Sequence, residues 1–280
     1  MGQLIKESTL ILSPMRPQLK EYAYPAIKEF IRQKVEESGG NGVVVGLSGG
    51  IDSATVSKLC IDAVGADKVL NIFMPSRASP DQDRRDAEAF CKKFGAELKV
   101  VDIEPAVNGF RSILSSMEQK EFAGNMTARC RMVVLFHEAR LRARLVMGTS
   151  NKSELLTGYF TKFGDGGSDF CPIGDLYKTE VRQLAEHIDV PTNIIERVPS
   201  ACLWAGQTDE EEMGITYEEL DQVLFGLERC MTNEAIAAES GVSLDKVDRV
   251  WNMYKCSVHK RKMPLVPKVG LRTLGLDWRE

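Results

Sequence analysis

The sequence predicts an α/β fold: a doubly wound, mostly parallel sheet with helices on both faces and a helical C-terminal part. Three observations predict it. Short apolar runs alternate with longer stretches of helical periodicity, which implies strand–helix–strand units with right-handed crossovers. The run Val43-Val44-Val45 is β-branched with no polar face, as a strand covered on both sides should be. A turn rich in glycine and serine then joins that run directly to a helix.

Each element follows in order. Apolar residues at helical spacing predict a helix from Tyr24 to Val35, broken by Ser38-Gly39-Gly40-Asn41-Gly42. The first strand is Val43 to Val45, and further strands are expected at Val69 to Met74, Leu98 to Ile103 and Leu145 to Met147. Helical patterns lie between them at Ser53 to Val64, Asp81 to Phe94 and Thr127 to Arg144. Later helices are expected at Tyr177 to His187, Tyr217 to Glu228, Asn233 to Glu239 and Leu244 to Ser257, with Ser243 as an N-cap. No repeat, low-complexity stretch or long linker appears, so residues 1–280 are expected to form one domain.

Composition excludes several classes. The chain has 280 residues, 43% hydrophobic and 27% charged, which is ordinary for a globular protein. Its net charge of −4 argues against a nucleic-acid backbone as the main partner. Seven cysteines, an odd number with no C-x-x-C pair, argue against a disulfide framework or zinc ribbon and for a reduced, cytoplasmic protein. No apolar run is long enough to span a membrane. Met1-Gly2 hints at myristoylation, but Lys6 stands where Ser or Thr is wanted. Asn125-Met126-Thr127 matches a glycosylation sequon that has no use outside the secretory pathway.

The strongest motif is Gly46-Leu47-Ser48-Gly49-Gly50-Ile51-Asp52-Ser53, set between strand and helix. Small residues let the backbone curl so that several N–H groups face one anion, and the helix N-terminus adds its positive end. Ser48 and Ser53 add hydroxyl donors. Asp52 is negative and would repel a bare phosphate, so its presence makes sense if Mg2+ lies between them. The loop has no lysine, so it is not a Walker A motif, and it lacks the G-x-G-x-x-G spacing of a dinucleotide fingerprint. A bare Ser-Gly-Gly would suit an ordinary capped turn. Six fixed positions after a triple-Val strand point to phosphate binding.

These residues resemble the S-G-G-x-D-S signature of the N-type ATP pyrophosphatases, whose fold is adenine nucleotide alpha hydrolase-like. The rest of the chain resembles one branch of that superfamily, the NAD synthetases, in the ammonia-dependent single-domain form. The resemblance runs through Asn125-Met126-Thr127-Ala128-Arg129-Cys130-Arg131, Gly148-Thr149-Ser150-Asn151-Lys152-Ser153-Glu154 and Gly158-Tyr159-Phe160-Thr161-Lys162-Phe163-Gly164-Asp165-Gly166 with Asp169. It continues through Pro172-Ile173-Gly174-Asp175-Leu176-Tyr177-Lys178-Thr179, Pro199-Ser200-Ala201, Leu203-Trp204, Gly206-Gln207-Thr208-Asp209-Glu210 and His259-Lys260-Arg261. It spans most of the chain, from about Glu29 to Lys268.

The resemblance implies a set of roles. ATP would contact Gly46 to Ser53, Thr149, Lys178 and Ser200, and Asp52 with Glu154 would hold Mg2+. Arg129, Lys162, Asp169, His259 and Lys260 would contact deamido-NAD, whose pyrophosphate and nicotinate carboxylate call for cations. Without the motifs, Lys178 would read as a solvated helix lysine and His259-Lys260-Arg261-Lys262 as a basic patch. The implied reaction converts the nicotinate carboxyl into an acyl-adenylate, releases pyrophosphate, and lets ammonia displace AMP to give NAD. Asp175 is the sequence candidate for taking the proton from ammonia. Cys130, between two arginines, either has a lowered pKa or simply packs.

Only 45 residues precede Gly46, too few for the glutaminase domain some family members carry, so direct use of ammonia is expected. The family implies a homodimer with the deamido-NAD site near the interface. Segments Pro75 to Arg85 and Cys202 to Thr216 are expected to act as lids, and Cys202 and Ala205 depart from the usual Gly and Pro there. Two rivals are weaker. A tRNA-modifying member of the superfamily would need a basic surface and usually a cysteine pair. A non-catalytic ATP sensor would have no need of both Asp52 and Glu154.

Overall fold

A computed structural model describes residues 15–200, 203–204, 206–275 and 277. Met1, Gly2, Lys6, Ala201, Cys202 and Ala205, singled out above, lie outside the described residues.

Helix α1 (Ala23–Ser38) ends at Gly39 in the left-handed conformation, φ 63°. Strand β1 (Val43–Gly46) then enters the centre of the molecule, its three valines fully buried. Helix α2 (Ile51–Val64) leads out, and β2 (Val69–Phe73) returns beside β1. Helix α3 (Asp81–Phe94) and β3 (Glu97–Val100) repeat the unit. Helices α4 (Glu104–Ile113) and α5 (Lys120–Arg142) precede β4 (Leu145–Met147). The four strands are all parallel, in the order β3-β2-β1-β4, with Val43 opposite Val69 on one side and Leu145 on the other.

Alternation along β1 assigns the layers. Val43 and Val45 face α1, α2, α3 and the later helix α7 (Lys178–His187). Val44 faces the other way, with Leu70 and Ile72 of β2, onto Val107 of α4 and Cys130 and Ala139 of α5. Each valine so buried contributes about 1.5–3 kcal/mol. The doubly wound arrangement expected from the alternating pattern is therefore present.

After β4 the chain is helical: α6 (Lys152–Thr157), α7, α8 (Thr192–Ile195), α9 (Asp209–Met213), α10 (Tyr217–Glu228), α11 (Asn233–Ser240) and α12 (Leu244–Cys256). Helices α10 to α12 build their own apolar core around Tyr217, Leu220, Val223, Ile236, Val247 and Val250. This core packs against α6 and α7, so the helical part is braced on the elements that follow the sheet. Among the described residues, no helix is long and apolar enough to cross a membrane.

Several expectations need correction. The third predicted strand ends early, at Val100; residues 101–102 are irregular, and Ile103 becomes the N-cap of α4. Helix α5 begins at Lys120, seven residues before the predicted Thr127. Ser243 does stand at the N-cap of α12, but its side chain makes no capping hydrogen bond.

The loop between β1 and α2 has one stringent position. Gly49 has φ 84°, and a Cβ there would lie 2.8 Å from the Asp83 carbonyl oxygen at the start of α3. Both the backbone conformation and the space exclude a side chain. Gly49→Ala is expected to lower stability by about 1–3 kcal/mol, read by urea unfolding. An unchanged midpoint would show that the loop can shift without cost.

Candidate active site

The C-terminal ends of parallel strands are where an open α/β sheet places ligands. Here β1 ends in the 46–53 loop and β4 ends at Gly148-Thr149-Ser150, and between them opens a cleft of about 490 Å³. Its walls include Ser48, Gly50, Asp52, Thr149, Glu154, Asp165, Lys178, Ser200 and Lys260.

The loop is held by its serines. The Ser48 amide donates to Ser53 Oγ at 3.1 Å, the Gly50 amide donates to Ser48 Oγ at 3.2 Å, and Ser53 Oγ donates to the Gly50 carbonyl at 3.0 Å. Gly50 is the N-cap of α2 and supplies no capping side chain. The first-turn amides of α2 therefore end in the cleft with the positive end of the helix dipole.

A second helix start lies opposite. Asn151 caps α6 in a reciprocal box: its side chain accepts from the Glu154 amide at 3.0 Å, and Glu154 accepts from the Asn151 amide at 3.2 Å. Asn151 Nδ2 also donates to Asp52 Oδ1 at 3.1 Å, which ties α6 to α2.

Lys178, at the start of α7, closes the triangle. It is only 2% exposed. Its Nζ donates to Asp52 Oδ2 in a short contact and lies 3.8 Å from Glu154 Oε1. Burial works against the ammonium, but Asp52 and Glu154 outweigh it and raise its pKa. Burial, reinforced by the neighbouring Asp52 charge, pushes Glu154 well above the usual carboxylate range although Lys178 opposes the shift. Two carboxylates held together, facing the glycine-serine loop, are a donor set that suits Mg2+, which takes one or two carboxylates and completes its shell with water and phosphate oxygens.

A network extends from this triangle into the segment before α10. The Lys178 ammonium sits 5.0 Å over the Tyr217 ring. Tyr217 Oη donates to Asp209 Oδ2 at 3.2 Å, and Tyr159 Oη donates to Asp209 Oδ1 at 3.1 Å and Glu212 Oε2 at 2.5 Å. Gln207 donates to Glu212 at 3.1 Å and accepts from the Leu203 amide at 2.8 Å. Leu203 and Trp204 line the cleft, and Leu203 packs on Gly124 of α5, where a Cβ would lie 3.1 Å from it. The second expected lid segment thus borders the site. From the first, Ser79 and Asp83 reach the cleft, and Asp83 is ion-paired with Arg197.

The other predicted site residues divide. Thr149, Ser200 and Lys260 line the cleft with the loop. Gly49 itself turns away and packs on α3. Lys260 Nζ donates to the carbonyls of Gly158 and Phe160 at 2.7 and 2.8 Å, and burial lowers its pKa. Arg129, Lys162, Asp169 and His259 are not among the cleft residues. Arg129, Lys162 and His259 form a surface chain beside the cleft: Arg129 donates to the Lys162 carbonyl at 3.3 Å, and Lys162 donates to the His259 carbonyl at 2.7 Å. Asp169 stands apart from that chain, its Oδ2 accepting the Val146 amide at 2.8 Å beside the Met147–Phe170 bridge on β4. Cys130 packs, and burial raises its thiol pKa.

Asp175 is a correction. Its side chain is 97% exposed, pairs with Lys152 at 3.1 Å, and does not face the cleft. A carboxylate that does line the cleft is Asp165, whose Oδ1 accepts the Thr161 amide at 2.9 Å. Its side chain is exposed to the cleft, while the protein around it reduces its hydration and raises its pKa above the ordinary aspartate value. Arg131 and Lys260 pull the other way. Its signal in the sequence is a carboxylate flanked by Gly164, Gly166 and Gly167.

The chain is similar to known proteins along most of its length. The NAD synthase family model matches residues 23–264. An NH(3)-dependent NAD(+) synthetase from Thermococcus kodakarensis is 45% identical over 88% of this chain and 96% of its own length. One from Archaeoglobus fulgidus is 48% identical over 87% and 95%. Among solved structures, NMN synthetase from Francisella tularensis superposes with a TM-score of 0.79 and 35% identity, covering 89% of this chain and 98% of that one. NH3-dependent NAD synthetase from Campylobacter jejuni, in complex with the nitrate ion, gives 0.75 and 32%, covering 89% and 99%.

The buried triangle makes a direct prediction. Lys178→Met leaves Asp52 and Glu154 facing each other without a cation, at a cost of about 3–5 kcal/mol. Urea unfolding in the absence of divalent ions reads that loss, and added Mg2+ recovers part of it. A variant as stable as the parent would refute the charge account.

Proposed function

The chain belongs to the NAD synthase family, and on that premise we propose that its cleft amidates deamido-NAD to NAD with ATP and ammonia, releasing AMP and pyrophosphate. The observation that carries this reading is the juxtaposition of a glycine-serine phosphate loop with the Asp52–Glu154–Lys178 triangle.

The polyphosphate of ATP lies along the 46–53 loop and the α2 amides. Asp52 and Glu154 would hold Mg2+, which when bound would supply positive charge against the phosphates. In the absence of ATP, Lys178 neutralises the two carboxylates. With ATP in place it turns part of that charge to the phosphates as a point cation. Thr149 and Ser200 contact the nucleotide from the two rims. The nicotinate carboxylate attacks the α-phosphorus, and the acyl-adenylate so formed is held away from bulk water beneath Leu203 and Trp204. Ammonia attacks the activated carbonyl. Asp165 accepts its proton, a role its raised pKa matches better than an exposed Asp175 would. The chain works by positioning two anionic nucleotides and needs no covalent intermediate.

Arg129, Lys162, Asp169 and His259 we assign to deamido-NAD on the surface beside the cleft. That surface continues into exposed apolar residues of α5: Phe122, Val133 and Leu141, at 50, 60 and 69% exposure. A second copy covering this stripe makes a homodimer with each deamido-NAD site near the interface. The scattered thiols suit a cytoplasmic protein. Likeness to an NMN synthetase supports a second substrate, the acid precursor of NMN, which carries the same reacting carboxylate.

Three measurements test the reading. Pyrophosphate release from MgATP with ammonia should require deamido-NAD and match NAD formed. Release supported only by the mononucleotide acid would move the assignment to that substrate, and glutamine equal to ammonia as donor would overturn the ammonia assignment. Asp165→Asn should lower kcat about 100-fold or more while calorimetric MgATP binding persists. At constant free ammonia, wild-type kcat should fall as pH drops through the raised pKa of Asp165, because the base must be unprotonated. A flat profile would remove Asp165 from the role. Val133→Glu with Leu141→Glu should give a monomer in sedimentation, and an intact dimer would refute the α5 interface.

A further inference from the structure

Asp221 has no place in the chemistry above, yet it is the most completely buried carboxylate near the site, with no exposed surface. It lies on α10, in the helical core rather than on the sheet. Among the described residues no cation pairs with it; it accepts hydrogen bonds instead. Ser153 Oγ donates to its Oδ1 at 2.5 Å, and the Thr179 amide donates to its Oδ2 at 2.8 Å. The Lys178 amide donates to the same Ser153 Oγ at 3.0 Å.

Those partners are not arbitrary. Ser153 immediately precedes Glu154 in α6. Lys178 and Thr179 are the first two residues of α7, and their amides have no partner within the helix. One carboxylate therefore holds the backbone beside the metal-binding Glu154 and the backbone that carries Lys178. Burying it costs free energy, and burial pushes its carboxyl up to about 6 even against the two hydrogen bonds that favour its charged form. A neutral cap would close α7 at less cost, so stability of the helix alone does not account for the choice.

We propose that Asp221 is a positioning residue for the reaction: through Ser153 and the first turn of α7 it fixes the separation of Glu154 from Lys178. The inference rests on the reading of that pair as the Mg2+ and phosphate site. It also gives the helical part a task, because α10 is the element that delivers the brace. Two acceptors at fixed spacing are needed. Asparagine keeps the volume but offers one acceptor, and its amide nitrogen would face a hydroxyl or an amide that donates.

The experiment compares wild type, Asp221→Asn and Ser153→Ala. Asp221→Asn should lower kcat 10- to 100-fold and raise the Mg2+ concentration for half-maximal rate at least threefold, with KM for deamido-NAD within twofold of wild type. Ser153→Ala keeps the Thr179 contact and removes the hydroxyl that joins Asp221 to the Lys178 amide, so it should change the same two quantities in the same direction by less. The double variant should be no worse than Asp221→Asn alone. Asp221→Glu should not restore the rate, because the longer side chain alters the spacing.

Two outcomes overturn the proposal. One is a lower melting temperature for Asp221→Asn with kcat and Mg2+ dependence unchanged, which is a purely structural cap. The other is equal loss of affinity for both nucleotides. If Asp221→Asn fails to fold, Ser153→Ala decides alone, and normal Mg2+ dependence there also overturns it. Wild type that forms no NAD from deamido-NAD would sink the reading of function instead, while calorimetric MgATP binding by the three proteins still tests the brace.

Discussion

A lysine ammonium with almost no exposure is the constraint on which the rest of this structure depends. Lys178 is stable as a cation only because Asp52 and Glu154 reach it. These three residues start three different helices, α7, α2 and α6. For their side chains to meet, β1 and β4 must be neighbours, because α2 follows one and α6 the other. The parallel sheet is therefore more than a core. It is the frame that brings distant helix starts to one point.

The same constraint explains how polar groups can be so concentrated there. Carboxylates and helix N-termini attract each other, and Asn151, Glu154 and Asp221 all spend oxygens on helix-start amides. Each such contact satisfies an amide that its helix cannot. The site is held by the ends of helices, with the sheet's apolar layers providing the stiffness behind them.

Much of this was legible in the sequence, for identifiable reasons. Helix α3 matches its predicted range because Pro80 opens it and Gly95 closes it in the left-handed conformation, φ 68°. The 46–53 loop was legible because its glycines and serines are adjacent in sequence. Helix α4 was not, since Gly109 weakens its propensity; what holds it is the packing of Val107 under the sheet. The early start of α5 was hidden by Gly124, which is there for Leu203 to pack against. One cause explains why the sequence singled out Asp175, which faces away from the cleft, and passed over Asp165, which lines it. Both stand in turns, and a turn's sequence does not say which way a side chain points. Asp221 was invisible because its partners, Ser153 and Thr179, come together only when α10 docks.

The span of the Asp52–Lys178 contact also bears on how the molecule is made. The two residues are 126 positions apart. Closing so long a loop costs entropy before any local gain offsets it, and parallel pairing is slow for the same reason. Strands β1 to β3 can assemble as soon as they are synthesised, but Asp52 then waits beside an incomplete sheet until β4, α6 and α7 arrive. The 46–53 loop is thus made well before the lysine that meets Asp52. A ribosome-bound chain that stops short of α7 carries the loop without the triangle, so Asp52 and Glu154 stay without their cation until Lys178 is added.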